Sequence, residues 1–321
     1  MTRLFDTLAR PAILTASHSH GLKRSAERIP LTRRVVQRFV PGETVEDVLS
    51  AVADLRYSGR MVSIDHLGED VIDTGAADAN VQVYLRLLDL LGERGEANPE
   101  GVAPLEVSLK LSALGQALDR DGEKIALENA HLICTRAREV GAWVTVDAED
   151  HTTTDSTLLI VRELRADFPW LGTVLQAYLR RTYGDCQEFA ASGARIRLCK
   201  GAYDEPAAVA HRNPDEVTAS YVRCLRVLMA GSGYPMVASH DPAVIDAVAG
   251  IARECGRGAG DFEYQMLYGI RDAEQVRLAD AGANIRVYVP FGTQWFGYFM
   301  RRLAERPANL AFFARALVQR G

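Results

Sequence analysis

The side chains in this sequence whose charge and setting could do chemistry are Lys110, Asp147, Arg197, Lys200 and the adjacent pair Arg301-Arg302. Lys110 and Asp147 end two short strand-like runs, 105–110 and 142–147, on the same parity of alternation. Consecutive strands of a parallel barrel would bring them together at its mouth as an ion pair, although such pairs also occur where there is no chemistry. Arg197 and Lys200 lead into a glycine in Arg197-Leu198-Cys199-Lys200-Gly201-Ala202-Tyr203. Clustered cations beside accessible backbone suit an anionic group, such as a phosphate or a reduced flavin ring. Arg197 sits mid-strand, where an unpaired cation is costly. Two adjacent arginines at 301 and 302 could grip a carboxylate bidentately, though exposed arginine pairs are also commonplace. His240 could serve as ligand, base or cofactor contact, or simply as a hydrogen-bonded structural residue. The other six histidines have no metal-ligand spacing, so no metal site is expected.

These residues need elements to position them. Runs 61–65, 105–110, 142–147, 172–177, 194–199, 234–239, 262–267 and 284–289 read as strands separated by longer helical stretches, the pattern of repeated βα units. On one parity stand Val62/Ile64, Val107/Leu109, Val144/Val146, Ile196/Leu198 and Val287/Val289, suited to packing beneath helices. On the other stand Ser63/Asp65, Ser108/Lys110, Thr145/Asp147, Arg195/Arg197, Glu263/Gln265 and Arg286/Tyr288, which predicts a polar interior chamber for a ligand. The expected fold is α/β, a closed barrel of eight parallel strands, with Asp65, Lys110, Asp147, Arg197, Lys200, His240 and Tyr288 at the C-terminal strand ends where barrel chemistry is carried. An open dinucleotide-binding sheet is disfavoured, since no G-x-G-x-x-G follows the first strand and Gly256-Arg257-Gly258-Ala259-Gly260 precedes a strand and reads as a turn.

Residues 1–58 are expected to form an N-terminal helical extension, with a loop at 17–21, a turn at Pro41-Gly42 and a helix cap at Thr44 with Asp47, leaving 59–321 as the barrel. A helix is predicted over 295–306, with one stripe of Phe296, Phe299, Met300 and Leu303 and another of Tyr298, Arg301, Arg302 and Glu305. Beyond it, Leu310, Phe313 and Leu317 are spaced for packing on the barrel.

The 321 residues are 48% hydrophobic and 25% charged, as in a folded globular chain. A net charge of -5 without a basic run argues against nucleic-acid binding. No stretch has the length of a membrane helix and the first residues lack a signal-peptide core, so a cytoplasmic location is expected. Five cysteines without CxxC spacing point to neither a disulfide framework nor zinc. Read this far, the residues give an anionic ligand, a buried Lys/Asp pair and a carboxylate clamp. They leave open a redox enzyme, a lyase forming a Schiff base through Lys110 or Lys200, and a non-catalytic binding barrel.

Seven segments taken together resemble the proline dehydrogenase family: Ile64-Asp65-His66-Leu67-Gly68-Glu69, Leu109-Lys110-Leu111-Ser112, Val146-Asp147-Ala148-Glu149, Gln176-Ala177-Tyr178, Arg197 through Tyr203, Tyr264-Gln265-Met266-Leu267-Tyr268-Gly269, and Tyr288-Val289-Pro290-Phe291-Gly292 on to Arg301-Arg302-Leu303. They span about 60–310 in the family order. The resemblance implies a distorted β/α barrel that binds FAD, oxidises L-proline to Δ1-pyrroline-5-carboxylate and passes the electrons to a membrane quinone, with contact at the inner membrane face. A separate pyrroline-5-carboxylate dehydrogenase would then take the product. Carried over, Arg301 and Arg302 would hold the substrate carboxylate and Lys110 with Asp147 would form the floor. Tyr203, Leu267 and Tyr288 would surround the proline ring, and Glu69 would pair with Arg302. Arg197 would lie near flavin N5, with Ala148, Gln176, Lys200, Gly201, Ala202, Ser239 and His240 as further flavin contacts. Tyr288 would crowd a 4-hydroxyl and so favour proline. Asp150-His151-Thr152-Thr153-Thr154 and Asp241 depart from the family pattern.

Overall fold

The computed structural model describes residues 36–68, 71–95 and 101–305, the last three by backbone alone. The first helix, α1 (Val45–Tyr57), begins with a capping box: Thr44 accepts from the Asp47 amide at 3.2 Å while Asp47 Oδ2 accepts from the Thr44 amide at 3.1 Å. Eight strand and helix units follow in alternation: β1 (Met61–His66), α2 (Thr74–Gly92), β2 (Leu105–Leu109), α3 (Gly122–Val140), β3 (Trp143–Val146), α4 (Thr154–Asp167), β4 (Gly172–Gln176), α5 (Thr182–Ala191), β5 (Arg195–Cys199), α6 (Pro214–Ala230), β6 (Tyr234–Ala238), α7 (Pro242–Glu254), β7 (Glu263–Leu267), α8 (Asp272–Asp280), β8 (Ile285–Phe291) and α9 (Trp295–Glu305). Pro214 and Pro242 stand in the first turns of α6 and α7, where a missing N–H costs nothing.

All strand pairs are parallel and the sheet closes, β1 pairing with β8 from Met61↔Arg286 to His66↔Phe291. The parity expected from sequence holds. Val62, Ile64, Val107, Leu109, Val144, Val146, Ile196, Leu198, Val287 and Val289 face the helices and are sealed in one core. Each such aliphatic side chain contributes about 1.5–3 kcal/mol by leaving water. Val45, Val48, Val52 and Leu55 of α1 belong to this same core, and α1 packs against β1 and β8. It fills the outer slot beside β8 while α9, the element after β8, goes elsewhere.

The opposite parity is more closed than a ligand chamber. Towards the N-terminal end of the barrel Glu263 receives Arg286 at 2.7 and 3.0 Å, and Glu106 receives both Arg195 and Arg197. These side chains are 0–5% exposed. Buried charges persist only when paired, so the lower interior is filled by its own ions and only the C-terminal mouth is left for a ligand.

A second, smaller apolar cluster lies at that mouth. Val36, Phe39 and Val40 from the segment before α1 meet Leu67 after β1 and Trp295, Phe296, Tyr298 and Phe299 of α9. Phe39 and Phe299 place their ring centroids 6.1 Å apart, and Trp295 Nε1 donates to Glu43 at 3.3 Å. The loop at 17–21, the remainder of the extension before residue 36 and the stripe of Leu310, Phe313 and Leu317 lie outside the described residues.

Candidate active site

β5 aims Arg197 into the barrel, and every donor of its guanidinium is met. Nε donates to Gln265 Oε1 at 2.6 Å, Nη1 to Asp147 Oδ1 at 2.6 Å and to Ser108 Oγ at 2.8 Å, and Nη2 to Glu106 Oε1 at 2.7 Å and to Ser63 Oγ at 3.1 Å. With five N–H groups so engaged, what Arg197 offers a ligand is its charge and its face. Burial disfavours that charge, but Asp147 and Glu106 more than offset burial and raise its pKa. The guanidinium also lies 5.4 Å from the centroid of the Tyr288 ring.

Asp147 is the hub of the mouth. Its Oδ1 also accepts from Ser108 Oγ at 2.9 Å, and its Oδ2 accepts from the Tyr288 hydroxyl at 2.8 Å. Burial, then the Asp147 and Asp65 carboxylates, pushes the Tyr288 phenol well above its ordinary value, so it stays a donor.

Sequence reading pairs Lys110 with Asp147. The structure keeps that pair at 3.8 Å and gives Lys110 a nearer anion, Asp65, at 2.5 Å. Register explains the preference. Asp65 aligns with Ser108, one inward position below Lys110, and the Asp147 oxygens are already occupied by Arg197, Ser108 and Tyr288. Burial pushes the Asp65 carboxyl up to about 6 against the pull of Lys110, with Asp147 adding to the rise. Asp65 Oδ1 is buried and accepts no hydrogen bond from the described residues.

The two arginines read as a carboxylate clamp stand on α9, whose buried face holds Phe296, Tyr298 and Phe299 against the mouth cluster. Tyr298, placed with the arginines by spacing, is turned inward at 5% exposure, and Arg302 lies 4.9 Å from its ring centroid. Arg301 lies 5.8 Å from the ring centroid of Tyr203 in the loop after β5. Leu267 aligns with Tyr288 across β7 and β8. Lys110, Tyr203, Leu267, Tyr288, Arg301 and Arg302 thus all belong to the C-terminal end of the barrel. Glu69 lies outside the described residues.

The residues read as flavin contacts stand at the ends of β3 to β6 or just beyond. Gln176 is buried and donates to the Glu149 carbonyl at 2.8 Å. Lys200 bonds Asp241 at 2.6 Å and Thr218 at 2.8 Å. Asp241 also caps α7 through the Ala243 amide at 3.0 Å. Gly201 has φ +108°, and a Cβ there would meet the Tyr178 ring at 2.3 Å, so the close approach that requires glycine is to Tyr178. Ala148 and Ala202 are half-buried, and Ser239 Oγ accepts from the Asp241 amide at 3.1 Å. His240 Nε2 accepts the Leu267 amide at 2.9 Å, which ties β6 to β7 and removes that nitrogen as a base. Ser63, Glu106, Ser108 and Gln265 around Arg197, and Asp65 beside Lys110, complete the site. Asp65 was already marked by its place at a strand end and Gln265 by its family-like segment, whereas Ser63, Glu106 and Ser108 gave no signal beyond alternation.

Charged groups concentrated at the C-terminal mouth of a closed β/α barrel mark an enzyme rather than a scaffold. Over residues 48–315 the sequence matches the family model described as proline dehydrogenase. It is 36% identical over 318 residues to the proline dehydrogenase of Deinococcus radiodurans, covering 98% of this chain and 100% of that one. It is 37% identical over 289 residues to proline dehydrogenase 1 of Bacillus subtilis strain 168, covering 90% and 92%. The solved structure of proline utilization A from Bdellovibrio bacteriovorus inactivated by N-propargylglycine superposes with a TM-score of 0.77 at 26% identity, covering 85% of this chain and 32% of that one. The chain belongs to the proline dehydrogenase family, oxidoreductases of the first step of proline catabolism.

Proposed function

We propose that this chain oxidises L-proline to Δ1-pyrroline-5-carboxylate with FAD as the bound oxidant, and that a membrane quinone takes the electrons. The observation that carries this reading is the saturated Arg197, a fixed cation at the mouth between Asp147 and Tyr288. The donor set fits a flavin: Arg197 and Lys200 bring positive charge and Gln176 brings a buried amide. Gln176, Arg197, Lys200, Gly201, Ala202, Ser239 and His240, with Ala148 at the margin, would hold it. When bound, FAD supplies the hydride acceptor at N5.

The chain's own residues do the rest. Arg301 and Arg302 bind the proline carboxylate, with Glu69 as the partner of Arg302. Tyr203, Leu267 and Tyr288 exclude water from the ring. Lys110, held by Asp65, and Tyr288, held by Asp147, form a floor that orients the ring carbon beside nitrogen. Proline loses hydride only as a neutral amine. Asp65, with its carboxyl near 6 and its Oδ1 accepting no hydrogen bond from the described residues, is the floor group that can change protonation near neutrality, so the Asp65 carboxylate takes the departing proton while Lys110 holds it in place. Arg197 answers negative charge growing at the mouth by electrostatics alone, having no donor to spare.

Among the described residues no helix is long and apolar enough to cross a membrane. Pyrroline-5-carboxylate would pass to a separate dehydrogenase. The test is an anaerobic absorption spectrum of FAD-reconstituted protein with L-proline added. Bleaching of the flavin bands is expected; bands that proline leaves intact would overturn proline as the substrate, and protein that takes up no FAD would overturn the flavin reading.

A further inference from the structure

None of the segments that carry the family resemblance includes Glu106, yet its side chain is fully buried at the centre of the barrel. Its two oxygens are divided. Oε1 accepts from Arg197 Nη2 at 2.7 Å, while Oε2 accepts from Arg195 Nη2 and from Thr145 Oγ1, the latter at 2.9 Å. Arg195 is otherwise met by the carbonyls of Val144 and Trp170 and by the face of Trp143, 3.7 Å from its guanidinium carbon. Gly172 makes room for this arrangement, since a Cβ there would come within 2.7 Å of Thr145 Oγ1 and 3.3 Å of Arg195 Nη1.

The charges form a closed account. Glu263 is committed to Arg286 through both oxygens, which removes that pair from the balance. Arg195 and Arg197 are then left with Glu106 below and Asp147 above, two cations and two carboxylates. Arg197 reaches across the layers, one nitrogen turned to Ser63 and Glu106 and the other to Ser108 and Asp147, which lie nearer the mouth. Glu106 therefore anchors the guanidinium from beneath and cancels part of the charge it presents above.

We propose that Glu106 is a positioning residue for the redox reaction, fixing Arg197 from below and setting how much positive charge Arg197 shows to the flavin. The proposal rests on the flavin reading above and concerns the tuning of that site. Without the Glu106 charge, the mouth gains one net positive charge and the electron-rich reduced flavin is favoured. A unit charge acting over roughly 10 Å at an effective dielectric constant near 20 shifts such an equilibrium by about tenfold.

The experiment is the midpoint potential of FAD-bound protein, measured by anaerobic dithionite titration against a reference dye, with no proline present. Glu106→Gln, which keeps the shape, should raise the potential by about 30 mV, a tenfold shift for a two-electron couple. Glu106→Asp, which keeps the charge, should remain near the parent. Arg195→Met removes a cation instead and should shift the potential down, which preserves the test if Glu106→Gln does not fold. Potentials unchanged in folded Glu106→Gln and Arg195→Met, or moved in the same direction by both, overturn the proposal. A parent protein that binds no FAD overturns the flavin reading itself, and this proposal with it. Parent protein that takes up FAD but is not reduced by proline overturns only the assigned substrate.

Discussion

Asp65 Oδ2 lies 2.5 Å from Lys110 Nζ, and neither side chain is more than 8% exposed. An ion pair this deeply buried holds only while both members are charged, and its acid is the weaker partner because burial pushes the Asp65 carboxyl up to about 6. Proline oxidation is expected to fall as pH drops through about 6, where Lys110 loses its anion. Asp65→Asn should flatten that acid limb of the rate profile. A limb that persists unchanged in the variant would place the titration elsewhere.

Stability should run the opposite way for the same group. The folded pKa lies above the unfolded one, so the native state binds the extra proton between 3.8 and about 6. The contribution of Asp65 to stability grows as pH falls through that window and is lost as pH rises past its upper edge. Melting curves of parent and Asp65→Asn across the window should therefore converge towards the acid end. Parallel curves would contradict the raised pKa.

Asp147 binds Arg197, Ser108 and Tyr288 at once, so removing it strands a buried cation. Asp147→Ala should cost about 3–5 kcal/mol in a denaturant titration, the usual penalty for breaking a buried pair. Asp147→Asn, which keeps an acceptor, should lose far less stability and still drop proline turnover by about a hundredfold, the scale of one lost electrostatic contact at a reacting centre. Turnover of Asp147→Asn near the parent level would remove Asp147 from the catalytic group.

The clamp reading of α9 distinguishes fork geometry from charge. Arg302→Lys keeps the charge but loses bidentate donation, so KM for proline should rise by about tenfold, equivalent to about 1.4 kcal/mol. The flavin spectrum should stay as in the parent. Steady-state kinetics decide it, and an unchanged KM would leave Arg302 a structural residue stacked on Tyr298.

Phe39 braces that helix from the chain before α1. Phe39→Ala should destabilise the mouth cluster by about 3–5 kcal/mol, as for other buried Phe truncations. Because Phe299 is two residues from Arg301, KM for proline should rise while the flavin spectrum is retained. Thermal melts and initial rates together test it, and a parent-like KM in the destabilised variant would separate the brace from the clamp.

The barrel was readable from sequence because its signals are local. Each strand lies within two residues of the run that predicts it, and the alternation of Val62/Ile64 with Ser63/Asp65 already sorts the two faces. Thr44 and Asp47 announce their cap by spacing alone. The preference of Lys110 for Asp65 was not readable, since it depends on the strand register and on which oxygens of Asp147 are taken. The closure of the lower interior was missed for a similar reason: alternation says that Glu106, Arg195, Glu263 and Arg286 point inward but not that they consume one another. Ser63, Ser108 and Gln265 carry no charge to draw notice and matter only through Arg197.

Glu43 and Trp295 touch across 252 residues of chain. During synthesis, the segment holding Val36, Phe39 and Val40 leaves the ribosome long before Trp295, Phe296 and Phe299 exist to receive it. Contacts so distant in sequence form late, after their loop entropy has been met by other structure. Closure of the wall, which pairs β1 with β8, and docking of this segment on α9 both wait for the last part of the chain, so the packing of α9 is finished only when the earliest and latest of these residues meet. Until then the apolar side chains of both segments are open to other chains, an exposure that favours aggregation in a crowded, partly made protein.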